Sequence, residues 1–214
     1  MFSTYSELQD EVANWIRRDI DRIPIFIGLA ESEFNRVLRL RTMETDNALS
    51  LVSGSRTVAI PDNYIEPISL RLVIPGEPQH VLTPRMPQQL DILTGTTASR
   101  RPEYWAINGA NIEFPNAADQ TYGLSFRMVT GFALSDATPT NWLLTHHPDL
   151  YLYGALLRAA PYLVNDARIP VWQMMYSQSL KQVQQNASKS RSISSLVTDM
   201  PMARRGAYNV YSDD

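Results

Sequence analysis

The chain has no cysteine, only two lysines (Lys181 and Lys189), and few charges of any sign, which make up 19% of its 214 residues. Each scarcity removes a class of function. Without cysteine there are no disulfides, no thiolate metal sites and no cysteine nucleophile, so stability must come from packing alone. Nineteen basic residues against twenty-two acidic ones give a net charge of -3, which is not the balance of a protein that coats nucleic acid. No window approaches the roughly 18 consecutive apolar residues of a membrane span. The N-terminal Met1-Phe2-Ser3-Thr4-Tyr5-Ser6-Glu7 turns polar before a signal-peptide core can form. The expectation is a protein made in the cytoplasm, with no membrane partner.

What is present is a 44% hydrophobic composition, enough to bury a sizeable core in one large domain or in a domain with an inserted lobe. Fourteen prolines and nine glycines announce many turns. Arginine supplies seventeen of the nineteen basic residues, a bias that suits interfaces, because the planar guanidinium makes forked pairs and stacks on aromatic rings.

Periodicity divides the chain. Thr4 and Glu7 form a capping box, and Leu8, Val12, Trp15 and Ile16 then share one face, predicting a helix over about residues 5 to 18. Ile23-Pro24 reads as a break, followed by a second helical segment over Glu31 to Arg39 with Phe34, Val37 and Leu38 inward. From 41 to 132 the pattern alternates, with strand-like runs at Ala48–Val52, Thr57–Ile60, Ile68–Ile74, Tyr104–Ile107, Asn111–Phe114 and Tyr122–Phe132. Asn108-Gly109 marks a hairpin between two of them, and Pro84 to Leu93 carries a short helix. Helical periodicity returns after 133: Pro148 opens an apolar helix, Asp166 is the cap of the next, and Ile169, Trp172, Tyr176, Leu180, Val183 and Ala187 recur every three or four residues. The predicted architecture is α+β, a helical bundle built from the N- and C-terminal helices (1–40 and 133–190) with a small antiparallel β lobe inserted (41–132). Residues 191–214 are expected as an extended arm, polar but punctuated by apolar anchors.

Chemistry-bearing patterns are sparse. His146-His147-Pro148-Asp149 gathers two imidazoles and a carboxylate, but adjacent residues seldom point at one ion, and helical zinc-ligand spacing is missing. There is neither a glycine-rich phosphate loop nor a G-x-S-x-G elbow. The expectation is therefore no enzyme, no metal and no cofactor. Arg17-Arg18-Arg22, Arg36-Arg39-Arg41, Arg100-Arg101 and Arg204-Arg205 are local basic clusters without a recognition-helix or RNA-motif signature.

The block comprising Pro148, Asp149, Leu150, Tyr153, Ala155 and Leu156, then Ala160, Tyr162 and Leu163, then Asp166, Arg168 and Trp172 resembles the hallmark of tailed-bacteriophage head-to-tail adaptor (connector) proteins. The order of parts is similar over most of the chain. The resemblance implies a structural virion protein at the head-tail junction, a homo-oligomeric ring of about twelve copies attached below the portal protein. Such a ring extends the channel for double-stranded DNA, without sequence-specific binding, and presents a docking surface to a tail or nozzle protein. On this reading the C-terminal arm, through Met200, Met202, Arg204, Arg205, Tyr208 and Tyr211, contacts either the portal or a neighbouring subunit. Two other readings stand beside it: a different tail, nozzle or tail-completion protein of a virion, and a metal-dependent hydrolase using His146, His147 and Asp149.

Overall fold

The computed structural model describes residues 2–17, 21–94, 98–163 and 167–195. Helix α1 (Tyr5–Ile16) starts where the capping box places it: Thr4 Oγ1 accepts from the Glu7 amide at 3.3 Å, and Glu7 Oε2 accepts from the Thr4 amide at 3.2 Å. Tyr5, Leu8, Val12 and Ile16 form its buried stripe, and Arg17 ends it in a left-handed conformation at φ 55°. Helix α2 (Ile23–Val37) begins earlier than periodicity predicts. Pro24 lies in its first turn, where a missing N–H costs nothing, so Ile23-Pro24 is a helix start and not a break. Phe34 and Leu38 are buried as expected, whereas Val37 faces out.

A 3-10 turn (Arg41–Met43) leads into the sheet: β1 (Glu44–Leu51), β2 (Thr57–Ala59), β3 (Tyr64–Val73), β4 (His80–Pro84), helix α3 (Pro87–Leu93), β5 (Tyr104–Asn108), β6 (Asn111–Glu113) and β7 (Tyr122–Thr130). These seven strands are ordered β1-β7-β3-β4-β5-β6-β2, and the two ends of that order, β1 and β2, come back together, so the sheet nearly closes on itself. Leu51, Leu70, Leu72, Trp105, Phe114 and Phe126 fill its interior. In the β5–β6 hairpin Asn108 stays in the ladder opposite Asn111, and Gly109 takes the first turn position at φ 59°.

This architecture overturns the expected helical bundle with a small antiparallel β lobe. The sheet is a nearly closed, barrel-like body with its own core, and it is mixed: Thr83 and Pro84 of β4 pair in parallel with Tyr104 and Trp105 of β5. Alternation marks a strand without naming its partner, and the parallel pair is made possible by the α3 crossover, which sequence reading treated as an interruption.

Helices α4 (Trp142–His146), α5 (Pro148–Leu163) and α6 (Ile169–Ser195) complete the chain. Helix α6 runs over Ile169–Ser195 and so takes in the first residues assigned to the arm expected over 191–214. Residues 196–214 lie outside the described residues. The helices and the exit of β7 share a second core, in which Phe34, Tyr151, Leu156 and Trp172 are buried together with Val129 of β7. Along β7, Phe126 and Met128 face the sheet interior while Val129 faces the helices, so one strand serves both cores through the period-two alternation of its side chains. Among the described residues no helix is long and apolar enough to cross a membrane.

Candidate functional site

Helix α5 is gripped by α1, α2, α4 and α6. Of the block singled out in the sequence, Pro148, Leu150, Ala155, Leu156 and Trp172 are buried, and Tyr153, Ala160 and Leu163 are half-buried. Asp149, Tyr162 and Arg168 are exposed, and Asp166 lies outside the described residues. Even the exposed members hold the helices together. Asp149 accepts from Ser179 Oγ on α6, and the Tyr162 ring centroid lies 6.2 Å from that of Phe26 on α2. Arg168 Nη1 donates to the Trp15 carbonyl at 2.8 Å, and its guanidinium lies 5.0 Å over the Trp172 ring. The block is thus a packing block, which brings α1, α2 and α6 onto one central helix.

Helix α5 lies close against α2 at Gly154, where an added Cβ would lie 2.9 Å from Phe34 Cζ and 3.2 Å from Ala30 Cβ. Beside it, the buried carboxylate of Glu31 accepts from Tyr151 Oη and from the Leu134 amide, each at 2.9 Å. Asn141 Nδ2 donates to Tyr151 Oη at 2.6 Å, while Asn141 Oδ1 accepts from the Leu144 amide and caps α4. Burial pushes the Glu31 carboxyl above the usual carboxylate range, and its hydrogen bonds from Tyr151 and Leu134 oppose that shift. Burial, followed by the Glu31 charge, raises the Tyr151 phenol. Asn35 adds a two-bond clasp, donating from Nδ2 to the Phe132 carbonyl at 3.0 Å and accepting at Oδ1 from the Phe132 amide at 2.7 Å. Together these side chains fasten the segment leaving β7 to α2.

Glu31 and Asn35 were missed by sequence reading, although a signal existed. Ile27, Glu31, Phe34 and Leu38 recur at helical spacing on the buried face of α2, so Glu31 is a charged residue in a core register.

The histidine pair is used structurally. His146 stacks on Trp142 at 4.7 Å, with Nδ1 2.9 Å from the Trp142 carbonyl oxygen, and His147 meets the same ring edge-on at 5.6 Å. Burial lowers the His147 imidazole, with His146 pushing the same way and Asp149 opposing. Among the described residues no group of three or more His, Asp or Glu side chains is placed to hold a metal ion. Arginines chiefly tie elements together: Arg158 pairs with Glu33 across α5 and α2, Arg39 with Glu66, and Arg71 and Arg127 both with Asp46.

Part of what the helices leave uncovered is apolar. On α2, Ile25 and Leu29, one turn apart, are 57% and 48% exposed; on α6, Val171, Met174 and Met175 share a face, with Met174 at 59%. Both helices pack on α5 and turn these stripes away from it. A further apolar group lies at α3, where Ile92 is 83% exposed near Met86 and Leu93. Such surfaces mark contact with other chains more often than with small ligands.

A family model described as the SU10 adaptor protein matches residues 3–200. The chain belongs to this family. SU10 adaptors are phage head-to-tail adaptors, so the chain is a structural phage protein and a virion component. The match spans every helix and strand of the adaptor described above. Of the arm residues, Met200 falls inside it, whereas Met202, Arg204, Arg205, Tyr208 and Tyr211 fall beyond it; all six lie outside the described residues. No curated protein matches the chain.

Proposed function

We propose that the chain is a head-to-tail adaptor that assembles as a ring, of about twelve copies, beneath the portal protein, where it extends the DNA channel and offers a docking surface to a tail or nozzle protein. The observation that carries this reading is the SU10 adaptor match over residues 3–200. The uncovered apolar stripes of α2 and α6 support it physically. A ring needs two different complementary faces on each copy, and two unlike stripes on separate helices can meet head to tail without closing into a twofold dimer. The C-terminal residues Met200, Met202, Arg204, Arg205, Tyr208 and Tyr211 are assigned to contact with the portal or the next subunit. Double-stranded DNA passes through such a ring without adhesion, in keeping with a net charge of -3. Sedimentation of the chain with portal rings tests the proposal. Co-sedimentation is expected; a chain that binds tail proteins and ignores the portal would be a different virion component.

A further inference from the structure

Helix α3 carries the most exposed large apolar side chain among the described residues. Leu90 is 1% exposed where the helix packs on β5, whereas Ile92, about 200° further round the helix, is 83% exposed and points away from the chain's own core. Met86, just before the helix, and Leu93 at its end are exposed as well. Asp91, beside Ile92, is exposed and is the only charged residue of the helix. The complementary shape lies among the helices. Two shallow pockets, of about 220 and 310 Å³, share Leu40 and Ala187 and form one groove between the chain leaving α2 and the 183–188 stretch of α6. Leu38, Leu40, Val183 and Ala187 give the groove an apolar floor. No Asp or Glu lines it among the described residues, and Arg41 at its rim is exposed and has no acidic partner among them. These volumes sit at or below the bottom of the roughly 300–1,000 Å³ range of small-molecule sites, so each pocket suits one or two inserted side chains.

We propose that α3 of one copy enters this groove on a second copy, with Ile92 in the apolar floor and Asp91 against Arg41. The occupant is chosen by chemistry: an apolar projection with one negative charge meets an apolar groove with a positive rim. Projection and groove are different surfaces of the same chain, so each copy offers both halves and the contact runs head to tail, as a ring requires. A seven-residue helix buries far less than the ~1,200 Å² of a stable complex, so this contact alone leaves the free chain monomeric and secures only copies already placed side by side. The inference rests on the ring reading for the role of the contact, to which it adds a directional joint beside the α2 and α6 stripes. The contact itself is between two copies of this chain and is tested without the portal.

The absence of cysteine makes the test direct, because introduced cysteines are the only thiols. Full chains carrying Gln88→Cys, one turn before Ile92 on α3, are mixed at high concentration with chains carrying Asn186→Cys, at the smaller pocket, and oxidised. Each chain then has one thiol, so every disulfide joins two copies. The expected heterodimer forms at least about tenfold faster than when the second chain carries Gln120→Cys, an exposed residue outside the groove. Ile92→Asp, at a site too exposed to disturb folding, should return the rate to that control. Arg41→Glu should slow the reaction several-fold, and Asp91→Arg in the other chain should restore it. Equal rates, a fast rate indifferent to Ile92→Asp, or a charge swap that restores nothing would each overturn the proposal. So would a homodisulfide as the main product, which would mean that groove meets groove or α3 meets α3. Rings that form on the portal without this cross-link would sink the contact and leave the ring reading standing, whereas a fast heterodimer from a chain that ignores the portal would do the reverse.

Discussion

Tyr151 Oη donates a 2.9 Å hydrogen bond to the buried carboxylate of Glu31, joining α5 to α2 across 120 positions of sequence. The same oxygen accepts from Asn141, so one phenol links two helices and the cap of a third. Tyr151→Phe keeps the ring that packs edge-on to Phe34 and deletes both bonds. It should cost about 1–3 kcal/mol, because Asn141 Nδ2 and Glu31 each lose a partner in a poorly solvated place. Denaturant unfolding of the two proteins measures this; unchanged stability would mean that water replaces the phenol.

Glu31 makes stability depend on pH with a definite sign. Its folded-state pKa is raised by burial, so between the usual carboxylate value and the raised one the folded state holds more protons than the unfolded state. Stability from this group is therefore full at low pH and is lost as pH rises through the folded value. Glu31→Gln keeps an oxygen to accept from Tyr151 and Leu134 but does not titrate. From about pH 4 to about pH 8 the native chain should lose stability relative to Glu31→Gln, and parallel unfolding curves would refute this.

Gly154 permits the close approach of α5 to α2. Alanine normally favours a helix over glycine by about 1 kcal/mol. Here its Cβ would press on the Phe34 ring tip and the Ala30 methyl, so Gly154→Ala should instead be neutral to destabilising, and Gly154→Leu should destabilise by at least about 1–3 kcal/mol. Thermal unfolding checks the order; a more stable leucine variant would contradict the packing.

Much of this fold was legible in sequence where the signal is local. Thr4 with Glu7 fixed the start of α1, Pro148 the start of α5, and the spacing of Trp172, Tyr176 and Val183 the buried face of α6. The sheet was misjudged where the determinant is not local. Pro84 disguised the end of β4, and nothing near Thr83 declares a parallel partner at Tyr104, 21 residues later. At the candidate site the family-like block was found through its apolar spacing, yet its role as the shared packing surface of four helices emerged only once α5 was placed among them. Glu31 stood only as the first residue of the second helical segment, although its spacing from Ile27 and Phe34 is that of a core position.

The exposed stripes separate stability from assembly. Leu29→Asp on α2 and Met174→Asp on α6 replace side chains that are 48% and 59% exposed, so each variant should unfold within about 0.5 kcal/mol of the native chain. Each should nevertheless abolish ring formation in the presence of portal, as seen by size-exclusion chromatography. Rings that form normally with both substitutions would place the subunit contacts elsewhere.

Electron microscopy of portal rings mixed with the full chain is the decisive measurement for the proposed ring. The expected result is an added ring of density coaxial with the portal, with about one adaptor per portal subunit. Bare portal rings, with the chain left free in solution, would contradict it.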